Sequence, residues 1–267
     1  MHNAGKRNVL GILIDVVDYQ GAEDAIIRAA VERKTMSVSA LAVHGLMTGA
    51  LDREQKFRLN QFSLLVPDGQ PVRWALNWLH RAPLRDRVYG PNLMLRVCAR
   101  AAAEGLPVYF YGSTPETLLS LKESLQLRFP GLVIAGIESS QFRRLSLIER
   151  EQLAGRIRSS GAAIVFVGLG CPRQEVFVYE FRELVSMPLL AVGAAFPFLA
   201  GIVPQAPLWM QKFGLEWLFR LWSEPRRLWR RYLFLNPTYL FLLSLQILGL
   251  SRFRTDGQSP VRELLYG

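Results

Sequence analysis

Short apolar runs of strand type alternate with amphipathic helical segments along most of this 267-residue chain, and that alternation limits its fold more than any other feature. Residues 8–17, 36–44, 62–69, 106–112, 132–139, 162–170 and 187–196 read as strands, the 36–44 stretch being short and running into a loop. Residues 21–33, 53–61, 71–80, 146–159 and 174–184 read as helices between them. Pro71 stands early in its helix, where a missing N–H matters little. Ser113 and Glu116 make a capping-box pattern around Pro115, predicting a helix that runs to about Arg128. Strands and helices alternating at this spacing build βαβ units. The expected fold is therefore α/β: a Rossmann-like, mostly parallel sheet flanked by helices. No internal repeat or low-complexity linker interrupts it.

From Pro204 the texture changes. The stretch APLWMQKFGLEWLFRLWSEPRRLWRRYLFLNPTYLFLLSLQILGLSRFR is rich in Trp, Leu and Arg and has no strand-like alternation. It predicts a helical appendage over 204–267 on a sheet domain over 1–203, an organisation that suits the chain length. The net charge is +10, and residues 203–254 supply six of those charges, from eight basic and two acidic residues. Such a balance calls for an anionic partner: nucleic acid, anionic lipid or a phosphorylated substrate. No nucleic-acid motif is present, and the cations sit among Leu and Trp, which favours lipid. Trp209, Trp217, Trp222, Trp229 and Tyr232 interleave with Arg220, Arg227 and Arg230. On one continuous helix those arginines would share a face, and a basic, Trp-rich amphipathic segment suits a bilayer interface. Packing on the core is the plainer alternative. The uncharged run 232–251 raises a membrane span, but Asn236-Pro237-Thr238 interrupts it, so an in-plane or re-entrant segment is favoured.

Two cysteines, Cys98 and Cys171, make no disulfide framework and fit a reducing location. The N-terminal apolar run is short, is broken by Asp15 and reads as a strand, not a signal peptide. The three histidines are scattered, so no metal site is expected.

Two places suggest chemistry. Asp68, in VPDGQPVRW, follows an apolar strand and precedes a helix. At the carboxyl end of a strand it can accept a proton from an attacking hydroxyl; an Asp-Gly pair is equally a common turn. GLGCPRQE (168–175) follows another strand. Gly168 and Gly170 would let an anion approach the backbone at a helix start, with Arg173 as a further phosphate contact. A plain strand-to-helix turn fits as well, since the spacing is neither a Walker loop nor G-x-G-x-x-G. Cys171 has no evident His partner for thiol catalysis, and His44 either faces the Asp68 turn or packs.

Taken in order, LLVPDGQPVRWAL, RVYGPNLM, VYFYGSTPET, VFVGLGCPRQE, GAAFPFLAG and the tail motif resemble the WecG/TagA/CpsF family, glycosyltransferase family 26, from about Val9 to Tyr239. The resemblance implies an inverting transfer of a hexosyl group, among them N-acetylhexosaminyl or uronosyl, from a UDP-sugar to a polyprenyl-diphosphate-linked acceptor in bacterial surface polysaccharide biosynthesis. It implies no metal or other cofactor, there being no D-x-D motif. Asp68 is then the general base. Ser39, His44, Arg87, Gln174 and Glu175 fall on family substrate-site motifs, and Arg220, Arg227 and Arg230 on tail arginines that close over the site at a membrane. The implied location is cytoplasmic, peripheral to the inner face of the cell membrane. Monomer and homo-oligomer both stay open. Two positions depart from the family: Leu41 stands where Asn is usual, and Pro197 where Asp is usual. They put the donor sugar in doubt, and they keep a rival expectation alive, a non-catalytic nucleotide-sugar-binding subunit of a polysaccharide assembly complex.

Overall fold

The computed structural model describes residues 2–267, apart from the side chains of Arg227, Arg230 and Arg231. The first apolar run is a hairpin and not the single strand expected. β1 (Asn3–Val9) and β2 (Ile12–Val17) pair antiparallel through a two-residue turn. Leu10 at φ 53° and Gly11 at φ 88° are both left-handed, the turn whose twist matches a hairpin. Asp15 on β2 accepts from the Leu65 amide at 2.8 Å, tying the hairpin to the main sheet.

That sheet has six parallel strands: β3 (Met36–Leu41), β4 (Leu64–Pro67), β5 (Val108–Gly112), β6 (Ile134–Glu138), β7 (Ile164–Gly168) and β8 (Pro188–Ala191). They lie in the order β4-β3-β8-β7-β5-β6. Val38 is in register with Leu64 on one side and Leu190 on the other. Side chains alternate between two cores, as the period of a strand requires. Leu41, Leu65, Val165, Val167 and Leu189 face one core, with the hairpin and with α2 (Val43–Leu51), α3 (Arg53–Asn60), α4 (Gln70–His80), α7 (Leu147–Ser159) and α8 (Arg173–Phe181). Val38, Val66, Phe110, Phe166 and Leu190 face the other, with α1 (Tyr19–Val31), α5 (Gly90–Glu104), α6 (Pro115–Arg128) and α9 (Ala195–Leu199). The parallel α/β sheet expected from the sequence is thus present.

Between β3 and β8 the following helices part to opposite faces: α2 packs on the first core and α9 on the second. In open α/β sheets a crevice at the carboxyl edge opens where connections diverge in this way.

Three local expectations are corrected. The 36–44 stretch does not run from strand into loop: β3 ends at Leu41, and α2 begins at Val43. The cap of α6 is Thr114, whose hydroxyl accepts from the Thr117 amide at 3.3 Å, while Ser113 sits at φ 58°. The last strand stops at Ala191, and the rest of that apolar run turns into α9.

The tail forms α10 (Leu208–Lys212), α11 (Glu216–Ser223) and α12 (Pro225–Ile247). Pro225 cannot continue a preceding helix, so Arg220 and the 227–230 segment lie on two helices instead of one. α12 carries Pro237 within it and packs on α4 and α2. Its Tyr239 and Leu243 are buried, and the Tyr239 hydroxyl donates to the Pro71 carbonyl at 2.8 Å. Among the described residues no helix is long and apolar enough to cross a membrane. After α12 the chain returns along the sheet domain. The Phe253 and Thr255 carbonyls accept from Asn8 and Asn60, the Leu264 and Leu265 amides donate to Glu180, and Tyr266 bridges Arg144.

Candidate active site

β4 ends in Pro67, and Asp68 follows at the carboxyl edge of the sheet. Asp68 does not behave as a turn residue. Gly69 has φ −86°, with no need for glycine's left-handed freedom, and no side chain caps α4. The Asp68 carboxylate reaches another segment, accepting from the Gly90 amide at 2.7 Å, the first residue of α5. Such an N-terminal amide favours negative charge. Gly90 sits so close to the end of β3 that a Cβ there would meet the Ala40 Cβ at 3.2 Å.

Arg87 and Tyr89, just before α5, lie within electrostatic reach of Asp68. Arg87 is buried, stacks over the Tyr89 ring at 4.1 Å and donates to Glu216 Oε2 at 2.6 Å. The Tyr89 hydroxyl donates to Glu216 Oε1 at 3.2 Å. α11 also brings Arg220 to the cleft, its guanidinium 5.8 Å from the Phe198 ring centre. Among the described residues no carboxylate pairs with Arg220, and its Nε is buried without an acceptor.

Burial pushes the Asp68 carboxyl up to about 6; the Glu216 charge adds to the rise, while Arg87, the Gly90 amide and Arg220 oppose it. Burial works against the Arg87 charge, but Asp68 and Glu216 outweigh it and hold the pKa above the usual guanidinium value. Tyr89 is raised by burial, then by Glu216 and Asp68, so it stays a neutral donor. A carboxylate with a pKa just below neutrality, beside two fixed cations, can take a proton and sit near an anion without forfeiting its charge.

Asp68, His44, Arg87 and Arg220 share a cleft of about 780 Å3, within the range of ligand sites. Its remaining wall is apolar: Trp74 and Trp78 of α4, stacked at 6.2 Å, face Trp217, Leu233, Leu240 and Leu243 of the tail. α2 places His44 on the rim of this cleft, on a helix where a loop was expected.

Deeper in, Ser39 of β3 donates to Glu175 Oε1 at 3.1 Å, and Gln174 Nε2 donates to the same oxygen at 2.9 Å. Glu175 is buried, and its pKa is raised by that burial against the Gln174, Ser39 and Cys171 contacts. Gln174 Oε1 is buried without a partner among the described residues and lies under Gly193, at the end of β8. Ser39, Gln174 and Glu175 therefore form one buried polar cluster, beside the Asp68 cleft and not in it. Gly168 is required by packing: a Cβ there would strike the Phe196 ring at 2.5 Å. Gly170, at φ 76°, opens the loop into α8 with free space around it.

The structure does not bring Arg173 to Asp68. It is exposed and lies over the Tyr266 ring at 5.7 Å. The Arg227 and Arg230 side chains lie outside the described residues. Leu41 is a buried core residue against Gly45, so it presents no polar group to the cleft. Pro197 lies within α9, its carbonyl accepting from the Ile202 and Val203 amides.

Sequence reasoning missed Glu216 and Tyr89 as members of the site. Glu216 had one visible signal: it is one of two acids among eight bases in 203–254.

A carboxylate and cations gathered at the carboxyl edge of a parallel sheet are the arrangement found at the ligand crevices of α/β enzymes. Residues 7–253 match the Glycosyl transferase WecG/TagA/CpsF family, and the chain belongs to it. It is an enzyme of the glycosyltransferase class, which sets aside the non-catalytic subunit. One relative, from Bacillus spizizenii, is the N-acetylglucosaminyldiphosphoundecaprenol N-acetyl-beta-D-mannosaminyltransferase, 31% identical over 183 residues that cover 68% of each chain.

Proposed function

We propose that this enzyme transfers a hexosyl group, with inversion and without a metal ion, from a UDP-sugar to a saccharide on a polyprenyl diphosphate. The observation that carries this reading is the two-part cleft: a raised carboxylate in the company of two guanidinium groups, and a wall of Trp and Leu. An acceptor with sugar, diphosphate and isoprenoid chain matches that sequence of surfaces, and the acceptor named for the Bacillus relative is a lipid diphosphate of this kind. Asp68 takes the proton of the acceptor hydroxyl as its oxygen forms a bond to the anomeric carbon. The bond from that carbon to the UDP oxygen breaks on the opposite face, and one displacement inverts the centre. Arg87 and Arg220 offset the charge on the departing diphosphate, the work a metal would otherwise do. The Ser39–Gln174–Glu175 cluster, buried beside the cleft, is proposed to brace the donor-sugar end of the site from behind.

The tail rests on the cytoplasmic face of an anionic membrane and hands the acceptor to the cleft. Trp222 is 89% exposed and Leu208 82%, and Trp209 and Phe213 are exposed too, apolar surface that water alone does not favour. The test is transfer of labelled sugar from a panel of UDP-sugars into lipid extract, with and without a chelator. Transfer from at least one donor, unaffected by chelation, is expected. No transfer from any donor, or transfer abolished by the chelator and restored by a divalent metal, overturns the reading.

A further inference from the structure

Among the described residues Glu216 is the tail carboxylate that lines the cleft. It is the first residue of α11, where a carboxylate suits the helix terminus, and its side chain is 14% exposed. Both oxygens are committed to the catalytic domain, one to Arg87 at 2.6 Å and one to Tyr89 at 3.2 Å. Arg87 makes its other tail contact with Gln211 of α10 at 3.3 Å. Among the described residues no ion pair joins Arg87 to Asp68, although each feels the other's charge. One turn further along α11, on the same face as Glu216, stands Arg220. The backbone then closes the circuit: Arg87 and Tyr89 lead directly into Gly90, whose amide holds Asp68.

We propose that Glu216 is the positioning residue through which docking of the tail is transmitted to the catalytic carboxylate. It holds Arg87 between two carboxylates, so that Arg87 does not close on Asp68 alone, and it seats α11 with Arg220 over the cleft. With the tail undocked, Arg87 would be free to pair with Asp68 and weaken it as a base. The base therefore reaches working strength only when the tail is in place, which ties chemistry to engagement of the acceptor-bearing surface. This rests on Asp68 being the base.

The groups facing Asp68 are Arg87 and Tyr89 before α5, Glu216 and Arg220 of α11, His44 of α2 and Tyr19 of α1. Replacing Glu216 by Gln removes a negative charge from this set and releases Arg87. Both changes favour ionised Asp68, so its pKa falls. The experiment is the pH profile of kcat/KM on vesicle-borne acceptor for the full-length enzyme, Glu216→Gln, Glu216→Asp and Asp68→Asn, each checked for folding by thermal melting. The acid limb of Glu216→Gln should move down by about half to one pH unit, with kcat lowered and vesicle binding retained. Glu216→Asp, which keeps the charge, should restore at least half of the shift. A merely structural role would lower activity at every pH and leave the limb in place. An acid limb within about 0.2 units of wild type in Glu216→Gln, with Asp68→Asn inactive, overturns the proposal and leaves the base assignment standing. An active Asp68→Asn removes the base assignment first, and the proposal with it.

Discussion

At the residue scale the site is a matter of which carboxylates are buried beside which cations. Asp68 was visible in the sequence as a strand-end carboxylate, but its Gly90 contact spans 22 residues and could not be read from VPDG alone. What distinguishes it from an ordinary turn is geometric: Gly69 is extended, at φ −86°, and the carboxylate serves another segment's amide. Ser39 and Glu175 were likewise separate motifs until the fold placed them 3.1 Å apart. Burial has a cost that can be measured. The folded pKa of Asp68, about 6, lies above its unfolded value, so the folded state binds more protons between them. The stability belonging to the neutral acid is present at pH 4 and is lost as pH rises through about 6. Asn keeps the oxygen that accepts from Gly90 and carries no charge. Asp68→Asn should therefore melt higher than wild type at pH 7.5, by the equivalent of about 1–3 kcal/mol, and the gain should shrink toward zero near pH 4. Paired thermal melts at the two pH values check this; an equal gain at both would contradict it.

At the scale of elements, periodicity revealed most of the strands and helices, and the failures have local causes. The run 8–17 is mostly apolar on both sides of Leu10-Gly11, so the pattern does not mark the left-handed pair that folds it into a hairpin. α2 was missed because VHGLMTGAL is short and carries two glycines, weak helix formers that here allow close packing. A Cβ at Gly49 would come within 2.7 Å of Ile12 and Leu59. The tail was legible as helical, but the break at Glu224-Pro225 divides it into α11 and α12. Its docking depends on one glycine. Gly214, between α10 and α11, has φ 73°, and a Cβ there would meet Trp74 at 2.7 Å. Gly214→Ala should push α11 away from α4. Activity on lipid-borne acceptor should fall about tenfold or more, as expected for a misplaced group, while the melting temperature of the sheet domain changes little. Steady-state rates and melting curves check this; full activity in Gly214→Ala would show that α11 need not sit where it does.

At the scale of the molecule, charge and apolar surface are sorted by region. Six of the ten net charges and four of the six tryptophans fall in 203–254, which composition alone made plain. The sequence did not show that the same tail closes the cleft. The charged part of that cleft comes from the end of β4, the segment before α5 and α11, and its apolar wall from α4, α11 and α12, so neither region forms it alone. The return of the chain after α12 was also hidden, because its contacts are hydrogen bonds from Asn8, Asn60 and Glu180 and not an apolar pattern. In the proposed mechanism Asp68 is the base of a transfer onto lipid-borne acceptor. The most direct measurement compares wild type with Asp68→Asn at pH 7.5, following labelled sugar into lipid and UDP binding on the same preparations. Turnover should fall about 100- to 10,000-fold in Asp68→Asn, with UDP affinity held within about twofold. Turnover within about threefold of wild type would contradict it.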